Sequence, residues 1–268
     1  MDDTSKLLQQ LQQLDYPAYQ TVVVDNGSTD SSTTQLKTRF PEITVFDLPT
    51  NTGFGRANNV AINQAMNAGF PFVWLLNNDA WPEKEALRKL VEHMQADLTI
   101  GALGTTVFDD DGSHELQSYG GGHIYPWLGY VRHNKTASEP LEFLTASSLL
   151  LRTEALRDIG LFDERFFLYW EDADLSFRLR SAGWKLGVTE TTVYHRGSST
   201  SGRWPRMKAH HIQRSYRLFA QKHYRLAEPK SFCSAAFQSL CKLAKARPRE
   251  AWGCWTGWMA GRRAIKSA

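Results

Sequence analysis

A chain of 268 residues with 42% hydrophobic and 22% charged side chains is long enough to bury a sizeable core and has the composition of an ordinary globular protein. Its formal net charge of +3 hides a division: from Thr200 onward 15 Lys and Arg face 2 Asp and Glu, while the first 199 residues hold 16 basic and 26 acidic ones. Three cysteines (Cys233, Cys241, Cys254), odd in number and without C-x-x-C spacing, argue against a zinc site or a disulfide framework and fit a reducing compartment.

The first 14 residues, MDDTSKLLQQLQQL, place leucines at helical spacing. YQTVVVDNGSTDSS reads as a short β-branched strand running into a turn, with Asp30 or a nearby Ser able to cap the next helix. ITVFDLP is a second strand, and NTGFGRANNVAINQAMNAG is a glycine loop feeding a helix that stops at Gly69. FPFVWLLNNDA is a third strand, and WPEKEALRKLVEHMQ a helix with Pro82 near its start. Three strand–helix units predict a parallel sheet flanked by helices. After IGALGTTVFDDDGS comes aromatic, glycine-rich hairpin material around YGGGHIYPWLGYV, then a core strand LEFLTASSLLLR. Helical patterns follow around Glu154 and from Asp172 to Ala182, then a short strand ETTVYH. From Trp204 the chain reads as helical and basic. No apolar run approaches the roughly 20 residues that span a bilayer, and the N-terminus has no apolar leader. The expected location is the cytoplasm, peripherally on the cytosolic face of the inner membrane.

Ligands of parallel α/β sheets bind beyond the carboxyl ends of the strands. Four polar stretches fall at such ends: VVVDNGSTD, NTGFGRANN, LLNNDA and VYHRGSS. In LYWEDADLSFRLRSAGW, Glu171, Asp172 and Asp174 crowd a helix start, more acids than capping requires.

These stretches, taken in order with FLTASSLLLR and FDERFFLYWEDADLSFRLRSAGW, resemble the family 2 inverting glycosyltransferases of the GT-A fold, nearest the rhamnosyltransferase-like branch that builds bacterial cell-surface polysaccharides. The resemblance implies a GT-A, Rossmann-like mixed α/β sheet over residues 1–203 and a helical, basic C-terminal extension over 204–268. It also implies transfer of a sugar, rhamnose among the candidates, from a dTDP- or UDP-linked donor to a glycan or polyprenyl-linked acceptor.

Each role transfers to a matching position. Asp25 and Asn26 match the strand end that meets the nucleotide base or ribose. Asn51, Gly53 and Arg56 form the glycine loop near the nucleotide. Asp79 matches the last acid of the family's Asp-x-Asp motif, which holds Mg²⁺ or Mn²⁺ on the diphosphate; Asn77 replaces the first acid, and Asn78 lies between them. His195 matches a histidine that completes the metal site in some members. Asp172, with Glu171 beside it, matches the catalytic base, and crowding by Glu171 and Asp174 is expected to raise the proton affinity of at least one of the three. Trp170 and Trp184 are candidates to line the acceptor side.

The chain departs from the family in lacking an apolar first strand of the type VSIVIVNYN ahead of its first helix. Val22 to Val24 are therefore expected to lose a hydrogen-bonding neighbour. That departure supports an alternative, a non-catalytic membrane-attached remnant acting as a binding partner. For the tail, the stripe Phe232, Cys233, Ala236, Phe237, Leu240, Cys241 and Ala244, the tryptophans 252, 255 and 258, and Arg262, Arg263 and Lys266 predict an amphipathic contact with an anionic membrane. No nucleic-acid module is present to support a nucleic-acid partner.

Overall fold

The computed structural model describes residues 2–30, 32–196 and 204–266. The Gly197–Thr200 part of the VYHRGSST motif and the expected domain boundary at 203 lie outside these residues, as do the side chains of Arg263 and Lys266.

The first part alternates as its apolar periods predict. Helix α1 (Asp2–Leu11) leads to β1 (Val22–Asp25), α2 (Ser32–Arg39), β2 (Thr44–Asp47), α3 (Phe54–Asn67) and β3 (Phe72–Leu76). Asp30 caps the turn before α2, its Oδ1 accepting from the Ser32 amide at 3.0 Å. The expected helix at Trp81 begins later. Ala80–Pro82 forms β4, and α4 spans Ala86–Ala96. Pro82 is tolerated in β4 because that strand lies at the end of its sheet, paired only with β11 (Lys185–His195).

Strand β5 (Ile100–Asp109) is buried along its first eight residues and runs through the middle of the main sheet. Strands β6 (Leu116–Tyr119), β7 (Gly121–Tyr125) and β8 (Tyr130–His133) follow. The single core strand read from LEFLTASSLLLR divides into β9 (Phe143–Leu144) and β10 (Ser148–Arg152), with a turn at 145–147 between them. Helices α5 (Thr153–Ile159) and α6 (Glu171–Ser181) precede β11.

The main sheet has the order β3-β10-β5-β11-β4, with β6 also on β5, and β8-β7-β9 make a smaller sheet. Strand β10 runs antiparallel to both β3 and β5, whereas β5 and β11 are parallel. The parallel arrangement read from the three strand–helix units does not extend to β10, which is reached from a β-hairpin region rather than by a crossover helix. The result is a mixed sheet, as the resemblance implies.

Strands β1 and β2 pair in parallel with each other but join no other strand. Among the described residues, Val22, Val23 and Val24 thus have a strand neighbour on one side only. A cavity of about 650 Å³ lies between this ribbon and the main sheet, lined by every residue of β1 and of β3.

The C-terminal helices are α7 (Pro205–His223), α8 (Ala227–Ala244) and α9 (Pro248–Lys266). Helix α7 is built into the body: Tyr216 and Phe219 are fully buried against Trp170, with ring centroids 4.7 and 5.0 Å away. Beneath them Asp174, with no exposed surface, meets Arg178 at 2.9 Å, Lys222 at 2.6 Å and His223 at 2.8 Å. Truncating this one acid leaves two cations and an imidazole around a buried hole. Asp174→Ala is expected to cost about 3–5 kcal/mol of folding stability, read from urea unfolding midpoints, whereas an exposed pair such as Arg88–Glu92 should cost less than about 1 kcal/mol.

Candidate active site

Helix α6 starts from a strained turn. Tyr169 and Trp170 have φ of 68° and 70°, a left-handed conformation that costs non-glycine residues about 1–3 kcal/mol each. Burial of the Trp170 indole against α7 holds that turn, so Trp170 packs the core instead of lining an acceptor path. Trp184 likewise stays away from the cleft, packing on the core cluster beside Leu179 and donating to Asp158 at 3.0 Å.

The turn delivers two acids with no cation between them. Glu171 is buried and its Oε2 has no hydrogen-bond partner. Asp172 is partly exposed; its Oδ1 accepts from the Ala173 amide at 2.8 Å and its Oδ2 from the Ala146 amide at 3.4 Å. Burial, then the Asp172 charge, pushes Glu171 up to about 8. Burial also raises Asp172, against the opposing amide hydrogen bonds. Burial thus raises the proton affinity of both carboxyls, and near neutrality Glu171 keeps its proton. Asp174 does not share in this crowding. Burial opposes its charge, but His223, Lys222 and Arg178 hold its pKa below the ordinary value.

The 145–147 turn links this pair to the end of β3. Ala146 donates to Asp172, and the Ser147 carbonyl accepts from the Asn77 amide at 3.0 Å. Two residues on, Asp79 Oδ1 lies 3.2 Å from His195 Nε2. Burial opposes the Asp79 charge, and His195 and Arg196 more than compensate, lowering its pKa.

The tautomer of His195 follows from its other neighbours. The Gln117 amide nitrogen donates to Asp109 Oδ1 at 2.5 Å and to the His195 carbonyl at 2.7 Å, leaving Gln117 Oε1 to accept from His195 Nδ1 at 3.1 Å. With Nδ1 so engaged, Nε2 faces the Asp79 carboxylate, donating to it when the ring is protonated and turning a lone pair toward it when the ring is neutral, with the Asn77 amide nitrogen 3.4 Å from Nε2. Two electron-rich atoms 3.2 Å apart require a proton or a cation between them. An imidazole and a carboxylate supply two donors for a divalent cation, and an anionic ligand can complete the shell. Among the described residues no cluster of three or more His, Cys, Asp or Glu side chains offers a closed metal site.

The remaining predicted residues are held by local contacts. Both Asp25 oxygens are used within its own turn, Oδ1 by the Ser28 amide at 2.8 Å and Oδ2 by the Thr33 hydroxyl at 2.6 Å. Burial opposes its charge, and these bonds hold its pKa below the ordinary value. Asn26 clasps the neighbouring loop, donating to Asn51 Oδ1 at 3.2 Å and to the Gly53 carbonyl at 3.1 Å, and accepting from the Thr52 amide at 2.8 Å. Gly53 has φ 90°, and a β-carbon there would collide with the Phe167 carbonyl, so glycine is required. Arg56 pairs with Glu164 at 3.4 Å on the surface, and Asn78 is exposed, donating to Thr4 at 3.2 Å. Asp25, Asn26, Asn77 and Asn78 line the same cavity.

The family model described as "Glycosyl transferase family 2" matches residues 4–160, more than half of the chain. The chain belongs to glycosyl transferase family 2. An N-acetylglucosaminyl-diphospho-decaprenol L-rhamnosyltransferase of Mycobacterium tuberculosis is 32% identical over 230 residues, covering 75% of each chain. Solved structures agree on the fold. S. aureus TarS 1-349 in complex with UDP has a TM-score of 0.56 at 22% identity, over 90% of this chain and 69% of that one. The Pyrobaculum calidifontis mannosyltransferase PcManGT, in complex with GDP-Man and Mn²⁺, has a TM-score of 0.60 at 16% identity, over 99% and 82%. The protein is a GT-A glycosyltransferase.

Within this glycosyltransferase, Gln117 is the residue that sequence reasoning missed. It sits in hairpin material with no motif around it, and only the pairing of β6 with β5 brings it to His195. Gln117→Leu is expected to free the His195 tautomer and weaken Mn²⁺ binding about 10- to 100-fold, measured by calorimetry. A second expectation concerns Glu171. The folded chain keeps a proton there that the unfolded chain releases near 4.5, so this contribution to stability is complete below about 4.5 and is lost as pH rises through about 8. Glu171→Gln should hold its stability across that window while the parent loses it, compared by urea midpoints at about pH 5 and about pH 9.

Proposed function

We propose that this enzyme transfers L-rhamnose, with inversion, from a dTDP- or UDP-linked donor to a sugar carried on a polyprenyl diphosphate. The relative at 32% identity carries that reaction type in its name, and GT-A neighbours are described with UDP and with GDP-Man and Mn²⁺. The observation that carries the reading is the 145–147 turn, which joins the Glu171–Asp172 pair to the Asn77–Asp79 strand end.

Asp172 accepts the proton of the acceptor hydroxyl as that oxygen attacks the anomeric carbon. The bond from that carbon to the diphosphate breaks on the opposite face, so one displacement inverts the configuration. Neutral Glu171 keeps a second negative charge away from Asp172, and burial raises the Asp172 pKa toward the working pH of a general base. Asp79 and His195 would hold Mg²⁺ or Mn²⁺, which supplies charge neutralisation for the departing diphosphate. Asp25, Asn26, Asn51 and Gly53 shape the nucleotide wall. Arg56 sits at its rim, free to exchange Glu164 for a phosphate because that pair is exposed.

No helix among the described residues is long and apolar enough to cross a membrane. A polyprenyl-linked acceptor therefore requires the enzyme to reach the bilayer by another route, and the basic C-terminal helices are its route to the anionic cytosolic face. The alternative of a non-catalytic remnant draws on the isolated β1–β2 ribbon, but a remnant has no use for an unpaired buried acid beside a partly exposed one.

Asp172→Asn is expected to lower transfer about 10²- to 10⁴-fold while leaving donor affinity within about twofold. The measurements are radiolabelled sugar transfer and calorimetric titration of the nucleoside diphosphate with Mn²⁺. Loss of donor binding along with transfer would remove Asp172 from the role of base, and absence of any donor heat from the parent chain would restore the remnant.

A further inference from the structure

Helix α8 is built inside out. Its buried positions are small or polar (Ser231, Ser234, Ala235 and Ser239), and its large apolar residues point to solvent. Phe237 is 44% exposed, Leu240 65% and Leu243 53%. A helix packed on a water-soluble body buries such a stripe. Here the inward side chains are fixed by hydrogen bonds, with Ser234 on Gln213 at 3.2 Å, Ser239 on the Ala251 carbonyl at 3.2 Å and Gln238 on the Gly129 carbonyl at 2.8 Å. The helix cannot rotate to hide its apolar face without breaking them.

The neighbouring helix pair shares this character. Gly253, Gly257 and Gly261 of α9, four residues apart, lie directly on the Arg206, His210 and Arg214 carbonyls of α7, where any β-carbon would crowd. Close packing through small residues is the usual solution for helices in lipid, where burying apolar side chains brings no gain. Phe232, Trp255 and Trp258 form an aromatic cluster between α8 and α9, with centroids 5.7 to 6.2 Å apart.

Charge identifies the partner. From Thr200 onward 15 basic residues face two acids, and both acids are already engaged: Glu228 by Arg217, and Glu250 by Lys242 at 2.8 Å. Lys245 and Arg247 in the turn after α8 and Arg249 at the start of α9 are exposed and, among the described residues, free for another anion apart from a loose 3.6 Å contact of Arg247 with Glu250. A second copy would oppose one positive surface with another.

We propose that the outward face of α8 is the element that enters the bilayer surface, with Phe237, Leu240 and Leu243 at the acyl boundary and Lys245, Arg247 and Arg249 on lipid phosphates. The proposal rests on the membrane-side reading above and assigns it to one helix face. Partitioning of this kind grows with both apolar area and anionic lipid content.

The test is co-sedimentation of the full chain with phosphatidylglycerol-containing vesicles and with pure phosphatidylcholine vesicles. The parent is expected to bind the anionic vesicles, and Phe237→Glu with Leu240→Glu, both at exposed sites, to bind at least about tenfold more weakly with unchanged circular dichroism and donor heat. Maleimide labelling of the exposed Cys233 and Cys241 is expected to slow on the anionic vesicles, while buried Cys254 stays unlabelled throughout. Equal binding by parent and variant would overturn the assignment to α8 and leave the membrane reading standing. Failure of the parent to bind either vesicle would remove the membrane reading itself. A dimeric parent that the variant converts to monomer, with no vesicle binding, would assign the face to self-association instead.

Discussion

The opening turns of helix α6 carry carboxylates with opposite fates, and the working parts of the protein depend on that difference. Asp174 is buried among Arg178, Lys222 and His223, and stays ionised because three donors replace its water. Glu171 is buried with an unpartnered oxygen and stays protonated. One acid anchors the helix to α7, and the other is a neutral neighbour to the partly exposed Asp172. A buried ion cluster of this kind adds little net stability over an apolar one, but its geometry is demanding, and it fixes the direction of the helix start. The C-terminal region is thereby coupled to the chemistry, since Lys222 and His223 belong to it.

The left-handed pair Tyr169–Trp170 shows how that coupling is enforced. Two consecutive aromatic residues at positive φ persist only where surrounding packing compensates. The compensation comes from Tyr216 and Phe219 of α7, which bury the Trp170 ring. The basic tail, separate by composition, is continuous with the body by packing through its first helix, and α8 and α9 build outward from that helix.

Much of this was legible in the sequence because it depends on local chemistry. Periodicity located α1, α3, β3 and α6; Gly53 had to be glycine; and the acid at 79 falls where a strand ends. Pairing was less legible. Nothing in LEFLTASSLLLR reveals that the strand breaks at 145–147, yet that turn joins the two acidic centres. Gln117 is an ordinary glutamine until β6 pairs with β5. Asp174 reads like Glu171 and Asp172 in EDAD, and besides Arg178 one turn on, the residues 48 and 49 positions later separate their electrostatics. An aromatic beside a crowded acid has the same sequence signature whether it faces substrate or core, and only the packing of α7 on Trp170 distinguishes them. On α8 the apolar stripe was visible, but the usual rule would turn it inward, and the serines that hold it outward become informative only once Gln213 and the Ala251 carbonyl are opposite them.

The split sheet gives these parts an unequal foundation. Asp79, His195 and the turn that contacts Asp172 all belong to the main sheet, whose central strand β5 is buried along most of its length. The loops carrying Asp25, Asn26 and Asn51 hang on a two-stranded ribbon, which is marginal when unsupported. What joins ribbon to sheet on the site side is polar and glycine-dependent: the Asn26–Asn51 clasp, the close seat of Gly53 on Phe167, and the Phe54 amide on the Phe167 carbonyl at 2.9 Å. Phe167 lies three residues before Trp170, so the loop that seats Gly53 is the same loop that α7 holds in place. Order passes from α7 through the strained turn to the Gly53 loop, and from there to the β1–β2 ribbon.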